Sequence, residues 1–318
     1  MKTIRAGVVG VGHLGKFHAE KYAASELAEL VGVVDLDDRR AASVAEKNGG
    51  RAFSDYRGLI GLVDAVSIAV PTPEHYQIAR AFLENGVDVL VEKPITATLE
   101  EADRLVGIAE RQGLVLQVGH LERFNPAVKA VKDIIANPIF IESNRLSLYQ
   151  PRGTDVSVVL DLMIHDIDII LTFVKSEVAY SHAMGAPVVS GHVDIANAHL
   201  EFANGAVANV TASRISNKSE RKIRLFQKDG YISVDFANRS IMHIRPGEDN
   251  ENSPVPGMQI REHQFAQGDA LKEEIRSFLQ ACIERSVPEV TGQMGREALQ
   301  MALSITRQIR ESSRWFVD

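Results

Sequence analysis

Residues 10–15 read GVGHLG, directly after the apolar run IRAGVV and directly before a helix-forming stretch. Strand, glycine turn and helix in that order constrain the chain to a βαβ unit of the kind that binds a dinucleotide. Gly10 permits a tight turn, Gly12 leaves the backbone open to a pyrophosphate, and Gly15 lets helix and strand pack closely; His13 and Leu14 complete the loop. The helix amino terminus then faces the phosphates. Asp35 ends the second apolar run, about 20 residues on, where a carboxylate can accept the ribose hydroxyls. A plain loop followed by an acidic helix cap is the bland alternative. Asp35-Leu36-Asp37 favours NAD over NADP, because a 2′-phosphate would meet two carboxylates. Arg39 and Arg40 lie just beyond and can stack over the adenine.

Apolar runs of strand length recur at 4–9, 30–34, 65–70, 87–91 and 115–118, with a weaker one at 51–53. Helical periodicity falls between them at 14–24, 38–47, 74–84 and 98–111. The alternation predicts an α/β fold: a Rossmann-type, doubly wound parallel sheet over residues 1–120. The pattern then changes. Helices are expected at 126–135 and 156–173, followed by alternating segments at 179–189, 193–202, 206–213, 221–227, 231–236 and 241–245. Asn204-Gly205 and Asp229-Gly230 sit between consecutive runs as hairpin signals. Residues 121–318 are therefore read as an α+β domain with an open-faced antiparallel sheet of about six strands. Residues 248–257 read as a loop, and two closing helices at 268–285 and 293–312 are expected to pack back on the first domain.

With 42 acidic against 35 basic residues and a formal charge of −7, the chain is no general polyanion binder, so no nucleic-acid partner is expected. The basic stretch at 214–228 reads as a solvated hairpin face. Cys282 is the single cysteine, which rules out an internal disulfide and fits a reducing, cytoplasmic setting. No run of 18 apolar residues occurs, so no membrane span is expected.

Two further stretches carry chemistry. Glu92-Lys93-Pro94 ends an apolar run where ligands meet an open parallel sheet, and lysine is seldom buried without purpose. An X-Pro bond there can be cis and turn the lysine into the crevice, while a solvated strand end is the alternative. Asp161 and His165 stand four apart, sharing one helix face, with Asp168 three further on. His165 can accept a proton near neutral pH while Asp161 orients its ring. With two local ligands and no nearby cysteine, a metal site is not expected.

GxGxxGxxH at 10–18, Glu92-Lys93-Pro94, Arg-Phe-x-Pro at 123–126 and D-x-x-x-H at 161–165 together resemble the glucose–fructose oxidoreductase / inositol dehydrogenase / MocA (Gfo/Idh/MocA) family of sugar dehydrogenases. The family's S/T-P-N-x-x-H element is represented by Val70, Pro71, Thr72 and His75; Pro71 and His75 match, whereas Val70 and Thr72 depart. Thr72 can still cap the following helix. The resemblance implies substrate held between a Rossmann domain and the open sheet, and homodimers or homotetramers formed through that sheet. It also implies that Lys93 hydrogen-bonds the reacting hydroxyl, with His165 as proton acceptor and Asp161 its partner. Residues 70–75, Glu92 and Lys93 would line the coenzyme. GHLERFNPAV at 119–128 is similar to the branch oxidising the 3-hydroxyl of UDP-N-acetylglucosamine on a route to amide-linked lipid A. On that likeness His120, Arg123, Asn125 and Arg152 are expected to hold the nucleotide sugar. A dehydrogenase of a free sugar or inositol and a non-catalytic dinucleotide-binding regulator are the competing expectations.

Overall fold

A computed structural model describes residues 3–150, 156–247 and 256–312. The chain divides into two compact units, Met1–Leu121 with Asp269–Leu299 and Glu122–Gly268 with Gln300–Asp318.

The first unit alternates β1 (Ile4–Val9), α1 (Gly15–Ala23), β2 (Ala28–Val34), α2 (Asp38–Asn48), β3 (Arg51–Phe53), β4 (Ala65–Ile68), α3 (Thr72–Glu84), β5 (Asp88–Glu92), α4 (Leu99–Gln112) and β6 (Leu116–Gly119). All six strands run parallel in the order β3-β2-β1-β4-β5-β6. The order reverses direction between β1 and β4, which opens a crevice beyond their carboxyl ends. Burial on both faces explains why these strands read as unbroken apolar runs; all four residues of β4 are buried. Local signals set the helix limits. Thr98 and Glu101 form a reciprocal capping box at the start of α4, and Gly113, with φ at 64°, ends it.

Helix α7 (Ala270–Glu284) belongs to this unit although it follows the second sheet in sequence. Its Ile275, Phe278 and Leu279 join Val8, Val33 and Tyr22 in one buried cluster. Beyond its end, Arg285 pairs with Asp88 at 2.8 Å.

The second unit holds α5 (Pro126–Val131), β7 (Pro138–Leu146), a π-helical turn (Val159–Met163), α6 (Ile164–Val174), β8 (Val178–Ala186), β9 (Ile195–Phe202), β10 (Val207–Ser213), β11 (Glu220–Gln227), β12 (Gly230–Asp235), β13 (Ser240–Pro246) and β14 (Met258–Gln264). The division between units falls inside α8 (Gly292–Ser312). Eight strands, not six, make the sheet, in the order β14-β13-β12-β11-β7-β10-β9-β8. The two additional strands lack the hydrophobic alternation that marks the rest. The inward positions of β7 include Ser143 and Arg145, and β14 is an edge strand of mostly exposed polar residues. Because β7 pairs parallel with β10, the sheet is mixed rather than wholly antiparallel.

Alternation on β9 buries Ala196, Ala198 and Leu200 and turns Ile195 outward, where Tyr180 and Met184 of β8 are also exposed. The helix expected at 126–135 stops at Val131, and the one expected at 156–173 begins as the π turn. Most of the loop read at 248–257 lies outside the described residues. Among the described residues, no helix is long and apolar enough to cross a membrane.

Candidate active site

At the glycine turn, Gly10 has φ at 82°, and a Cβ there would lie 2.6 Å from the Ala69 carbonyl oxygen. A Cβ on Gly15 would run into the Gly10 carbonyl oxygen. Both glycines are required by the fold itself. Gly12 is different: a Cβ there meets nothing within 4 Å, so the space above it is open to a ligand. A cavity of about 490 Å³ adjoins this position, lined by Val11, Gly12, His13, Lys16, Arg40 and Ser43 among others. Leu14 is partly exposed at the start of α1. Asp35, at the end of β2, accepts from the backbone N–H groups of Val11 and Asp37, each at 3.0 Å. Arg40, rather than Arg39, reaches its carboxylate, at 3.1 and 3.3 Å. Open backbone at a helix amino end and an oriented carboxylate one strand away suit a dinucleotide's pyrophosphate and ribose.

The Lys93-Pro94 peptide bond is cis. Lys93 is half-buried, whereas the Glu92 carboxylate turns inward, 3.1 Å from the His18 imidazole of α1 and against Gly119. Burial opposes charge on Glu92, but the hydrogen bond from His18 and the fields of His18 and Lys93 hold its carboxyl below the ordinary range. His75, buried on α3, sets Nδ1 2.8 Å from the Pro94 carbonyl oxygen and Nε2 2.9 Å from that of Val70. Burial pushes its pKa down despite the two carbonyls. A neutral ring donates through one nitrogen only, so the carbonyls compete for one proton. These positions correct one expectation, the Thr72 cap. Glu92 and His75 brace the loops after β4 and β5. Thr72 is the first residue of α3 and provides no side-chain cap, since Pro71 holds the cap position. Val70 contributes its carbonyl to the brace. His120, buried, follows β6.

In the second unit, Asp161 lies in the π turn and His165 in the first turn of α6, both half-buried. π turns recur at functional positions because the extra residue re-aims side chains. The neighbouring acids face a different environment. Arg145 of β7 grips Asp166 with two hydrogen bonds, at 2.7 and 3.1 Å, and donates to Glu122 at 2.9 Å. Burial opposes the Arg145 charge, yet the fields of Asp166 and Glu122 raise its pKa further. Arg123, 2 % exposed, pairs with Asp168 at 3.2 Å. Asn125 caps α5 through the Ala127 N–H and donates to the Phe236 carbonyl and to Glu122. Arg123 and Asn125, expected to hold substrate, also tie residues 122–125 to α6 and to the Phe236 carbonyl. Arg152 lies outside the described residues. Arg214, read as part of a solvated face, is buried; it donates to the Val156 carbonyl and lies 3.9 Å from Asp194.

Residues 4–120 match the family model described as oxidoreductase family, NAD-binding Rossmann fold, and residues 142–233 match the GFO/IDH/MocA C-terminal domain. A UDP-N-acetylglucosamine 3-dehydrogenase from Acidithiobacillus ferrooxidans is 40% identical over 306 residues, 96% of this chain and 97% of that one. The chain belongs to the Gfo/Idh/MocA family of oxidoreductases. The solved structure of that Acidithiobacillus enzyme superposes with a TM-score of 0.93 at 39% identity, covering 98% of this chain and 99% of its own. An inositol 2-dehydrogenase from Rubrobacter xylanophilus is 34% identical across 68% of this chain and 66% of its own. As a Gfo/Idh/MocA member, the protein is a dehydrogenase acting on the CH–OH group of a small sugar, with a nicotinamide dinucleotide as coenzyme.

Two participants in this Gfo/Idh/MocA fold escaped the sequence reading. Arg145 sits in a strand whose pattern gave no signal. Glu274 hides in an amphipathic helix, although its spacing of four from the buried Phe278 places it on the inner face.

Proposed function

We propose that this dehydrogenase oxidises the 3-hydroxyl of UDP-N-acetylglucosamine, or of a closely related nucleotide sugar, with NAD as the oxidant. The observation that carries this reading is the end-to-end similarity to the Acidithiobacillus enzyme of that activity. Bound NAD supplies the hydride acceptor. Gly12 and the amino end of α1 hold the pyrophosphate, His13 and Leu14 border it, and Asp35 takes the adenosine ribose once Arg40 swings aside. The same carboxylate disfavours a 2′-phosphate. Lys93 donates to the reacting hydroxyl, and its charge stabilises the developing alkoxide. His165 takes the proton, with Asp161 orienting its ring. His120 and the half-buried faces of Asp161 and His165 contact the sugar. Arg123 and Asn125 act by fixing the backbone beside them. A homodimer or homotetramer formed through the exposed sheet face around Tyr180, Met184 and Ile195, in the cytoplasm, completes the proposal.

The partial likeness to an inositol dehydrogenase supports a second reading, oxidation of an unphosphorylated polyol. Product analysis separates the two. Incubation with UDP-N-acetylglucosamine and NAD, with an amine-transfer enzyme drawing off the product, is expected to yield a nucleotide sugar with a ketone at C3 by mass spectrometry and NMR. Intact nucleotide sugar beside oxidised inositol would favour the second reading.

A further inference from the structure

Beneath the Glu92-Lys93-Pro94 segment, and within the first unit, lies a buried cluster that the proposed reaction does not use. One ligand atom each from His18, Glu92 and Glu274 falls within 4.8 Å of the others. Glu274, on α7, is 0 % exposed, and neither of its carboxylate oxygens has a hydrogen-bond partner among the described residues. Gln117 of β6 donates to the Glu274 backbone carbonyl, not to its carboxylate, and the Gln117 side-chain oxygen is itself an unused acceptor. Glu92 has what Glu274 lacks: an imidazole at 3.1 Å and the field of Lys93.

A buried carboxylate with no donor and a second carboxylate beside it carries the full cost of desolvation plus like-charge repulsion. Protonation removes both costs and converts Glu274 into a donor for Glu92. We propose that Glu274 is a neutral carboxylic acid in the working enzyme, its proton directed at Glu92, and that this pair, closed by His18, is a positioning device for the segment bearing Lys93. The proton stays on the pair and no bond to substrate is made. One negative charge, rather than two, then sits below the lysine.

The titratable groups around the pair come from several elements. His18 comes from α1, Glu92 and Lys93 from β5 and the turn after it, and His75 from α3. Tyr22 from α1 is buried and bonded to Ser67, and Cys282 lies on α7 itself. Burial first, then the charge on Glu92, raises the Glu274 pKa well above its ordinary value. A raised folded pKa gives stability that is complete below the unfolded value and lost as pH rises through the folded one.

Lys93 as the reacting lysine belongs to the proposed function, so the decisive readouts are made without substrate. Infrared difference spectra of the full-length protein, with and without 13C-labelled glutamate, are expected to show a protonated carboxyl at pH 7 that disappears in Glu274→Gln. The melting temperature of the wild type is expected to fall relative to Glu274→Gln as pH is raised above neutral. In turnover, Glu274→Gln, which keeps a donor, should retain roughly tenfold more kcat than Glu274→Ala. Absence of the protonated band from the wild type overturns the proposal, even if the variants fail to fold. So does a stoichiometric divalent metal in protein purified without chelator, since the cluster would then be a cation site. Failure with nucleotide sugars would leave the spectra and melting curves unaffected and would count only against the substrate.

Discussion

The two units treat buried charge in opposite ways. In the second, the buried acids around α6 are answered by guanidinium groups: Asp166 and Glu122 share Arg145, and Asp168 takes Arg123. In the first, the acids beneath the crevice are answered by weaker or exchangeable partners. Glu92 has His18, Glu274 has no donor among the described residues, and Asp35 has an arginine that is half exposed. Both solutions occur within β5 alone. Asp88 at its amino end is held by Arg285 and by the Val115 N–H, whereas Glu92 at its carboxyl end meets an imidazole. The difference teaches where the frame is locked and where a ligand must be admitted. Bidentate arginine pairs fix geometry without titrating near neutral pH. Imidazole and carboxyl partners offer fewer bonds and a less rigid hold.

The comparison can be broken most forcefully at the proposed reacting groups. Lys93→Ala is expected to lower kcat/KM by about a thousandfold or more, and His165→Ala by about a hundredfold or more, with circular dichroism and melting temperature unchanged. Comparable loss of stability in either variant would class them with the frame. Arg145→Ala should do the reverse. It leaves Asp166 buried without its partner and is expected to cost about 3–5 kcal/mol in urea unfolding. A smaller pair of effects distinguishes glycines within one loop. Gly15→Ala should destabilise the protein by at least about 3 kcal/mol, since its Cβ has no room. Gly12→Ala should leave unfolding unchanged while weakening NAD about tenfold or more in a binding titration.

The fold was legible wherever burial is two-sided or strictly alternating. The parallel strands announced themselves as apolar runs, and Asn204-Gly205 marked the turn between β9 and β10, where Gly205 has φ at 85°. It was illegible where charge is carried inward. β7 gave no strand pattern because Arg145 occupies a core-facing position, and the π turn adds a residue that no 3.6-residue periodicity reveals. In the candidate site, residue type picked out segments but not the direction of each side chain. Arg123 and Asn125 have ligand-binding chemistry, yet they spend it on Asp168 and on the backbone.

Two milder tests sharpen the contrast. Asp35→Asn removes the charge opposing a 2′-phosphate while Arg40 remains, and should shift the NAD-to-NADP preference by about tenfold or more in kcat/KM. Asp194 of the second unit offers a pH test. Burial opposes its charge, but the Ser190 hydroxyl and the N–H groups of residues 188–190 lower its pKa to about 2 from an ordinary 3.8. Its contribution is present above 3.8 and lost as pH falls through about 2. Unfolding followed against pH should therefore show a steeper acid decline in the wild type than in Asp194→Asn.

The central claim, a nucleotide-sugar dehydrogenase that works through Lys93, is tested most directly by initial rates of NAD reduction. UDP-N-acetylglucosamine and myo-inositol should be compared at equal concentration in the wild type and in Lys93→Ala. The account predicts NADH formation with the nucleotide sugar, little with inositol, and near-complete loss in the variant. Inositol as the faster substrate, or a Lys93→Ala variant as fast as the wild type, would contradict it.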